Sequence, residues 1–170
     1  MDISTPINDD PCVALTPLDC EAKRFDKNGY ADIKDLTANT KIALNKFIES
    51  LKNIGFNVRV NSGFRSRSYQ YHLKEVFQKY KKINSRKQED CPDTIKKLKQ
   101  IYNLKGLRST KLVANPANAP HSTGKCVDLT IFDKNNKEVD RLNFDELAKQ
   151  CGLERPYPTR DKVHYRSIKN

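Results

Sequence analysis

Apolar positions recur along the chain at two spacings, and the points where one gives way to the other divide it into short elements. Ile42, Leu44, Phe47, Ile48, Leu51 and Ile54 fall near helical spacing. Thr37 or Asn39 is placed to cap that helix, and Gly55 to end it. From Phe56 the pattern alternates: Phe56-Asn57-Val58-Arg59-Val60 predicts a strand that stops at the turn signal Asn61-Ser62-Gly63. A second helix is expected over about 68–82, with Tyr69, His72, Leu73, Val76, Phe77 and Tyr80 as its stripe. Thr94, Ile95, Leu98 and Ile101 are in phase for a short helix over about 93–102. Leu112-Val113-Ala114 reads as a short strand before the break at Asn115-Pro116. The segment 126–132, CVDLTIF, is the clearest strand, and a polar turn follows at 133–136. Asn143 is expected to cap a helix that reaches Gln150 or Cys151 and ends at Gly152. Pro156 and Pro158 exclude helix before a last strand near 163–168.

Helices and short strands alternate without a βαβ rhythm. The pattern predicts an α+β fold, a single domain with a small central antiparallel or mixed sheet flanked by helices. The length of 170 residues fits one domain. Residues 1–30, with Pro6, Pro11 and Pro17 and a local acidic excess, read as an irregular N-terminal arm. Residues 31–170 form the domain proper, with a basic helical insertion at about 79–111.

Charge narrows the partners. Lys and Arg number 32 against 21 Asp and Glu, a formal net charge of +11. The insertion holds 11 of the basic residues and 3 of the acidic ones. Such a surplus fits nucleic acid, an acidic membrane surface or an anionic wall polymer. The 7 Tyr and 7 Phe form no stacking pattern of the RNP type, and no CxxC pair supports a zinc finger. No apolar run approaches the roughly 20 residues of a membrane span, and the first residues lack the basic start and apolar stretch of a secretory signal. Five cysteines leave at least one thiol free in a monomer. Cys12 and Cys20 lie close together in the arm, as a disulfide that ties it down or as two ordinary thiols.

The candidate chemistry rests on three histidines. His121 lies in a loop seven residues before Asp128, within HSTGKCVD, and Gly124 lets the chain turn between them. His164 opens the last strand, three residues after Asp161. Two imidazoles and a carboxylate make a catalytic zinc set with one position left for water. By spacing alone the same residues are better described as a buried Asp bonded to a loop and two satisfied histidines. In a regular strand positions three apart face opposite sides, so Asp161 and His164 share a site only if Asp161 lies in a turn before the strand. Cys126 shares a strand face with Asp128, either as a fourth ligand or as a small buried residue. His72 reads as structural, and Ser66 and Gln70 as partners of Arg65 or as a solvated helix start.

His121-x-x-Gly124-x-Cys126-x-Asp128-Leu129 resembles the HxxGxAxDL signature of the zinc peptidases that cleave D-amino-acid peptides of bacterial cell walls. That family comprises D-Ala-D-Ala carboxypeptidases, D-Ala-D-Ala dipeptidases and L-alanyl-D-glutamate endolysins. Ser62-Gly63-Phe64-Arg65-Ser66 is similar to its SGYRS element, and Asp161-Lys162-Val163-His164 to its (D/E)xxH element. The three motifs stand in the family's order over about 58–168. The resemblance implies a hedgehog-like zinc peptidase fold, with Zn²⁺ held by His121, Asp128 and His164. It implies Asp161 as general base and Arg65 as the residue that stabilises the oxyanion or holds substrate. The chain departs from the pattern at Ala117 and Ala119, where Gly and Ser are usual, at Cys126, where Ala is usual, and at Lys162 and Val163. These changes bear on loop support and specificity more than on metal binding.

Peptidoglycan stem peptides are the substrate the resemblance implies, with an anionic cell-wall polymer as a further partner for the basic insertion. No nucleic acid and no membrane span are expected, and the protein reads as a monomer of the cell envelope, periplasm or secreted space, or as a phage lysin. Two other readings stand beside the peptidase. A hedgehog-like zinc-binding interaction module would need neither Asp161 nor Arg65. A basic nucleic-acid binder would show a steep salt dependence and no metal.

Overall fold

The computed structural model describes residues 6–25, 31–83, 91–105, 107 and 113–168. Its elements run α1 (Cys20–Lys23), α2 (Ala38–Asn53), β1 (Asn57–Ser62), α3 (Arg67–Lys82), α4 (Pro92–Leu104), β2 (Cys126–Phe132), α5 (Asp145–Gln150), β3 (Leu153–Glu154) and β4 (His164–Ser167), with short 3₁₀ turns between. Helices with a small antiparallel sheet give the α+β class that the pattern predicts. The described residues group into two compact units, one drawn from 31–65 and 120–168, the other from 6–25 and 66–119.

The sheet lies in the first unit, in the order β1-β2-β4-β3 with every pair antiparallel. Helix α2 begins where expected, because the Thr37 hydroxyl accepts the Thr40 N–H at 3.3 Å. Its buried stripe is Thr40, Ala43, Leu44, Phe47 and Leu51, so Ile42 and Ile54, assigned to the core by spacing, are more than half exposed. The small Ala43 takes the core position beside Leu44, and Ile42 is thereby rotated off the buried face. This stripe packs with Val127, Leu129 and Ile131 of β2 and with Tyr165, Phe144, Ala148 and Leu153. On β2, side chains alternate faces: Val127, Leu129 and Ile131 enter this core, while Cys126, Asp128 and Thr130, also buried, face the other way. Helix α5 starts at Asp145, not at an Asn143 cap, because Asn143 sits inside a 3₁₀ turn, Arg141–Phe144.

In the second unit α3 and α4 pack around Val76, Phe77, Ile83, Ile95, Leu98 and Tyr102. The short strand expected at 112–114 does not form over Val113 and Ala114, and Leu112 lies outside the described residues. The two carbonyls are taken instead by α3, Val113 by Lys74 Nζ at 2.9 Å and Ala114 by Gln70 Nε2 at 3.1 Å. Cys12 is bonded to Cys91, not to Cys20, which stays free and exposed at the start of α1. Nearness in sequence does not decide pairing: the Cα atoms of Cys12 and Cys91 are 5.5 Å apart, within bridging range, across a separation of 79 residues.

The same unit holds a buried ion pair invisible to sequence reading. Lys79, part of the basic stretch, is wholly buried and bridges Glu75 at 3.1 Å. Its Nζ donates to the carbonyls of Val13 and Ala14, and both Glu75 oxygens accept the Thr16 N–H. Residues 13–16 are thus fixed to α3 by backbone bonds to two buried charges. Lys79→Met leaves Glu75 buried without its cation and two carbonyls without a donor. The expected cost is about 3–5 kcal/mol, which at roughly 2–4 °C per kcal/mol for a chain of this size lowers the melting temperature by roughly 6–20 °C. A melting temperature within 2 °C of wild type, roughly 1 kcal/mol or less, would contradict this reading.

Candidate metal centre

The chemistry-bearing residues come from three places in the first unit. β1 ends at Ser62, opposite Asp128 in register, so the chain that follows, Gly63-Phe64-Arg65, leaves the sheet beside β2. A 3₁₀ turn, Pro120–Thr123, carries His121, and Gly124 (φ +69°) returns the chain into β2. A side chain at Gly124 would be strained, and its Cβ would stand 2.9 Å from the Asp35 carbonyl. On β4, His164 is the direct cross-strand partner of Asp128, and directly opposed residues project from the same sheet face.

The three side chains meet. His121 Nε2 and His164 Nδ1 each lie 3.2 Å from Asp128 Oδ1, and the two rings stand edge to face at 5.0 Å. One ligand atom from each residue falls within 4.8 Å of the others, and all three residues are buried. Arg65 Nη2 approaches the second carboxylate oxygen at 3.5 Å. Cys126, buried in β2, stands outside this set of three and acts on it through the electrostatics of His164. The donor set fits zinc: two imidazole nitrogens and a carboxylate oxygen, all in reach of one ion. The His121 ring is already oriented, since its Nδ1 lies 2.8 Å from the Gly63 carbonyl. A carbonyl accepts only, so Nδ1 carries a proton and Nε2 is the ring nitrogen that faces the centre, donating to Asp128 without an ion and free to ligate once that proton leaves.

Electrostatics bind the cluster together without the ion. Burial works against ionised Asp128, but the hydrogen bonds from His121 and His164 and the charge of Arg65 outweigh it and hold the carboxyl well below its usual range. Burial likewise works against protonated His164, and its hydrogen bond to Asp128 together with the influence of Cys126 prevails, raising its pKa to about 9. The signs predict how metal-free protein responds to pH. The His164 contribution to stability is complete below the unfolded value of 6.5 and is lost as pH rises to about 9. The Asp128 contribution is complete above the unfolded value of 3.8 and is lost on acidification. Chelator-treated protein should therefore melt progressively lower between pH 6.5 and about 9; a flat melting profile there would contradict the assignment.

Asp161 lies in the turn before β4, as its spacing from His164 requires. Its N–H donates to the Tyr157 carbonyl at 2.8 Å and its own carbonyl accepts the His164 N–H at 3.3 Å. Strand alternation begins only at His164, so Asp161 is free of the rule that would turn it from the metal. Two positioning groups had no signature in the sequence. One is the Gly63 carbonyl, a backbone group that no residue type marks. The other is Arg155, whose buried side chain pairs with both Asp145 oxygens at 2.6 and 2.7 Å and donates to the Lys162 carbonyl at 3.3 Å, fixing the turn that carries Asp161. Ser66 and Gln70 are engaged within the second unit, Ser66 as the N-cap of α3 and Gln70 with Ala114. His72 is buried on α3, its ring stacked on Tyr69.

The sequence profile of the family described as VanY, D-alanyl-D-alanine carboxypeptidase, matches residues 33–167. No curated protein matches the chain in sequence. Among solved structures, the chain is similar to a mutant of the vancomycin-resistance D,D-pentapeptidase VanY from a VanB-type cassette in complex with Zn(II). The identity is 16 %, the TM-score 0.53, and the match covers 79 % of this chain and 73 % of that one. It is also similar to VanYB in complex with D-alanine-D-alanine, at 18 % identity and TM-score 0.51, over 79 % of this chain and 72 % of that one. At these identities the likeness is one of fold.

Proposed function

Since the chain belongs to the VanY family of D-alanyl-D-alanine carboxypeptidases, we propose that it removes the terminal D-alanine from peptidoglycan stem peptides at a zinc centre held by His121, Asp128 and His164. The observation that carries this reading is the convergence of those three donors within 4.8 Å, with Arg65 against the same carboxylate. The Zn(II) and D-alanine-D-alanine bound by the two similar proteins support the choice of metal and substrate. The Cys12–Cys91 disulfide suits an oxidising compartment such as the cell envelope.

Zinc, when bound, lowers the pKa of its water to about 7 and polarises the scissile carbonyl. The chain supplies the rest. Asp161 takes a proton from the attacking water and returns it to the leaving amine, a role worth typically 10²–10⁴-fold. Arg65, at the exit of β1, directs positive charge at the developing oxyanion. Gly63 keeps the His121 ring in register, and Arg155 keeps the Asp161 turn in place. The alternative of a zinc-binding module without catalysis has no use for Asp161 or Arg65.

Stem pentapeptides ending in D-Ala-D-Ala, incubated with zinc-loaded protein and analysed by mass spectrometry, test the proposal. The expected product has lost one terminal D-alanine. Cleavage after the L-alanine would move the protein to the endolysin type, and intact peptide would contradict the peptidase reading.

A further inference from the structure

A buried aspartate one residue ahead of the family match connects to the metal centre through a short relay of backbone bonds. Asp32 is 1 % exposed, although it stands in no motif and lies outside the candidate ligand set found among the described residues. Its Oδ1 accepts the N–H groups of Lys34 and Asp35 at 2.9 and 3.1 Å, closing an Asx turn over 32–35. That turn aims the Asp32 carbonyl at Phe64, whose N–H it accepts at 2.7 Å in an isolated antiparallel bridge. The neighbouring residue, Gly63, presents the carbonyl that holds His121 Nδ1 at 2.8 Å. The two backbones are pressed together, since a Cβ at Gly63 would overlap the Asp32 carbonyl oxygen. Beyond the turn, the Thr37 N–H donates to the Gly124 carbonyl at 2.9 Å, on the far side of the His121 loop. Residues 32–37 therefore brace the loop carrying the first ligand from two sides.

We infer that Asp32 is a positioning residue for the metal centre: its side chain shapes the turn whose carbonyl fixes Gly63-Phe64, and through Gly63 it sets the orientation of His121. The inference rests on the proposed zinc centre and adds to it a residue that touches neither metal nor substrate. An oriented imidazole partner is worth 10–100-fold in metal affinity when lost. The buried polar side chain at position 32 acts as an acceptor here, so Asn preserves the function and Ala removes it.

The test compares wild type, Asp32→Ala and Asp32→Asn as full-length protein, measuring zinc affinity by competition with a chromophoric chelator and folding by near-UV circular dichroism. Asp32→Ala should bind zinc about tenfold more weakly or worse, and Asp32→Asn should stay within about twofold of wild type. In ¹⁵N-histidine-labelled wild type the Nδ1 proton of His121 should be protected from exchange, and in Asp32→Ala it should exchange freely. Folded Asp32→Ala with wild-type affinity, or Asp32→Asn as weak as Asp32→Ala, would overturn the inference while leaving the zinc centre intact. Wild type that takes up no zinc would overturn the centre and this inference together. Should Asp32→Ala not fold, the wild type decides the matter. Coupling is reciprocal, so zinc must slow hydrogen exchange at the Phe64 amide, and an unchanged rate would overturn the relay.

Discussion

Asp128→Ala protein is expected to retain no stoichiometric zinc and to leave stem peptides intact. Asp128 is the hub of the cluster: its Oδ1 meets both His121 and His164, and its Oδ2 meets Arg65. Losing a ligand removes a charge that neutralises the ion as well as one of three donors. It also removes the group that raises the His164 pKa and the anion beside Arg65, leaving a positive charge near the place a cation must enter. The fall in zinc affinity should exceed the roughly 10–100-fold that loss of an outer partner causes. Zinc content after dialysis, read by elemental analysis beside circular dichroism, checks it. Near-stoichiometric zinc in the folded variant would remove Asp128 from the ligand set.

Asp161→Ala should separate catalysis from metal binding. Its carboxylate is placed by a turn, with the backbone tied to Tyr157 on one side and to His164 on the other. Arg155 holds the adjoining Lys162 carbonyl. Removing the carboxylate leaves those backbone bonds and the three ligands in place. Zinc content should stay at the wild-type level while hydrolysis falls roughly 10²–10⁴-fold, the range for general acid–base catalysis. The split distinguishes a proton carrier from a ligand: zinc lost together with activity would make Asp161 part of the metal shell. Full activity in Asp161→Ala would assign proton transfer to another group.

Where the sequence was legible, a short-range pattern carried the signal. β2 could be read because seven consecutive residues of one strand type stand between a glycine turn and a polar turn, and its alternation already put Asp128 on one face and Leu129 on the other. The α2 cap was legible because Thr37 precedes the helix it caps. The convergence of His121, Asp128 and His164 was legible through motif order, since three histidines leave few combinations. What stayed hidden depends on partners distant in the chain. Lys79 looks like one more lysine in a basic run, and only the carbonyls of residues 13 and 14 make it a buried residue. Cys12 lies eight residues from Cys20 yet bonds to Cys91, across most of the second unit. Gly63 and Asp32 act through backbone carbonyls, which no side-chain pattern reports.

The most direct test of the account titrates activity against metal. Zinc is removed from wild-type protein with a chelator and restored stepwise, and at each step zinc content and release of D-alanine from stem pentapeptide are measured on the same sample. The account predicts that hydrolysis vanishes in stripped protein and returns in proportion to zinc, reaching its limit near one ion per chain. Hydrolysis that persists in fully stripped protein, or fully loaded protein that cleaves nothing, would contradict it.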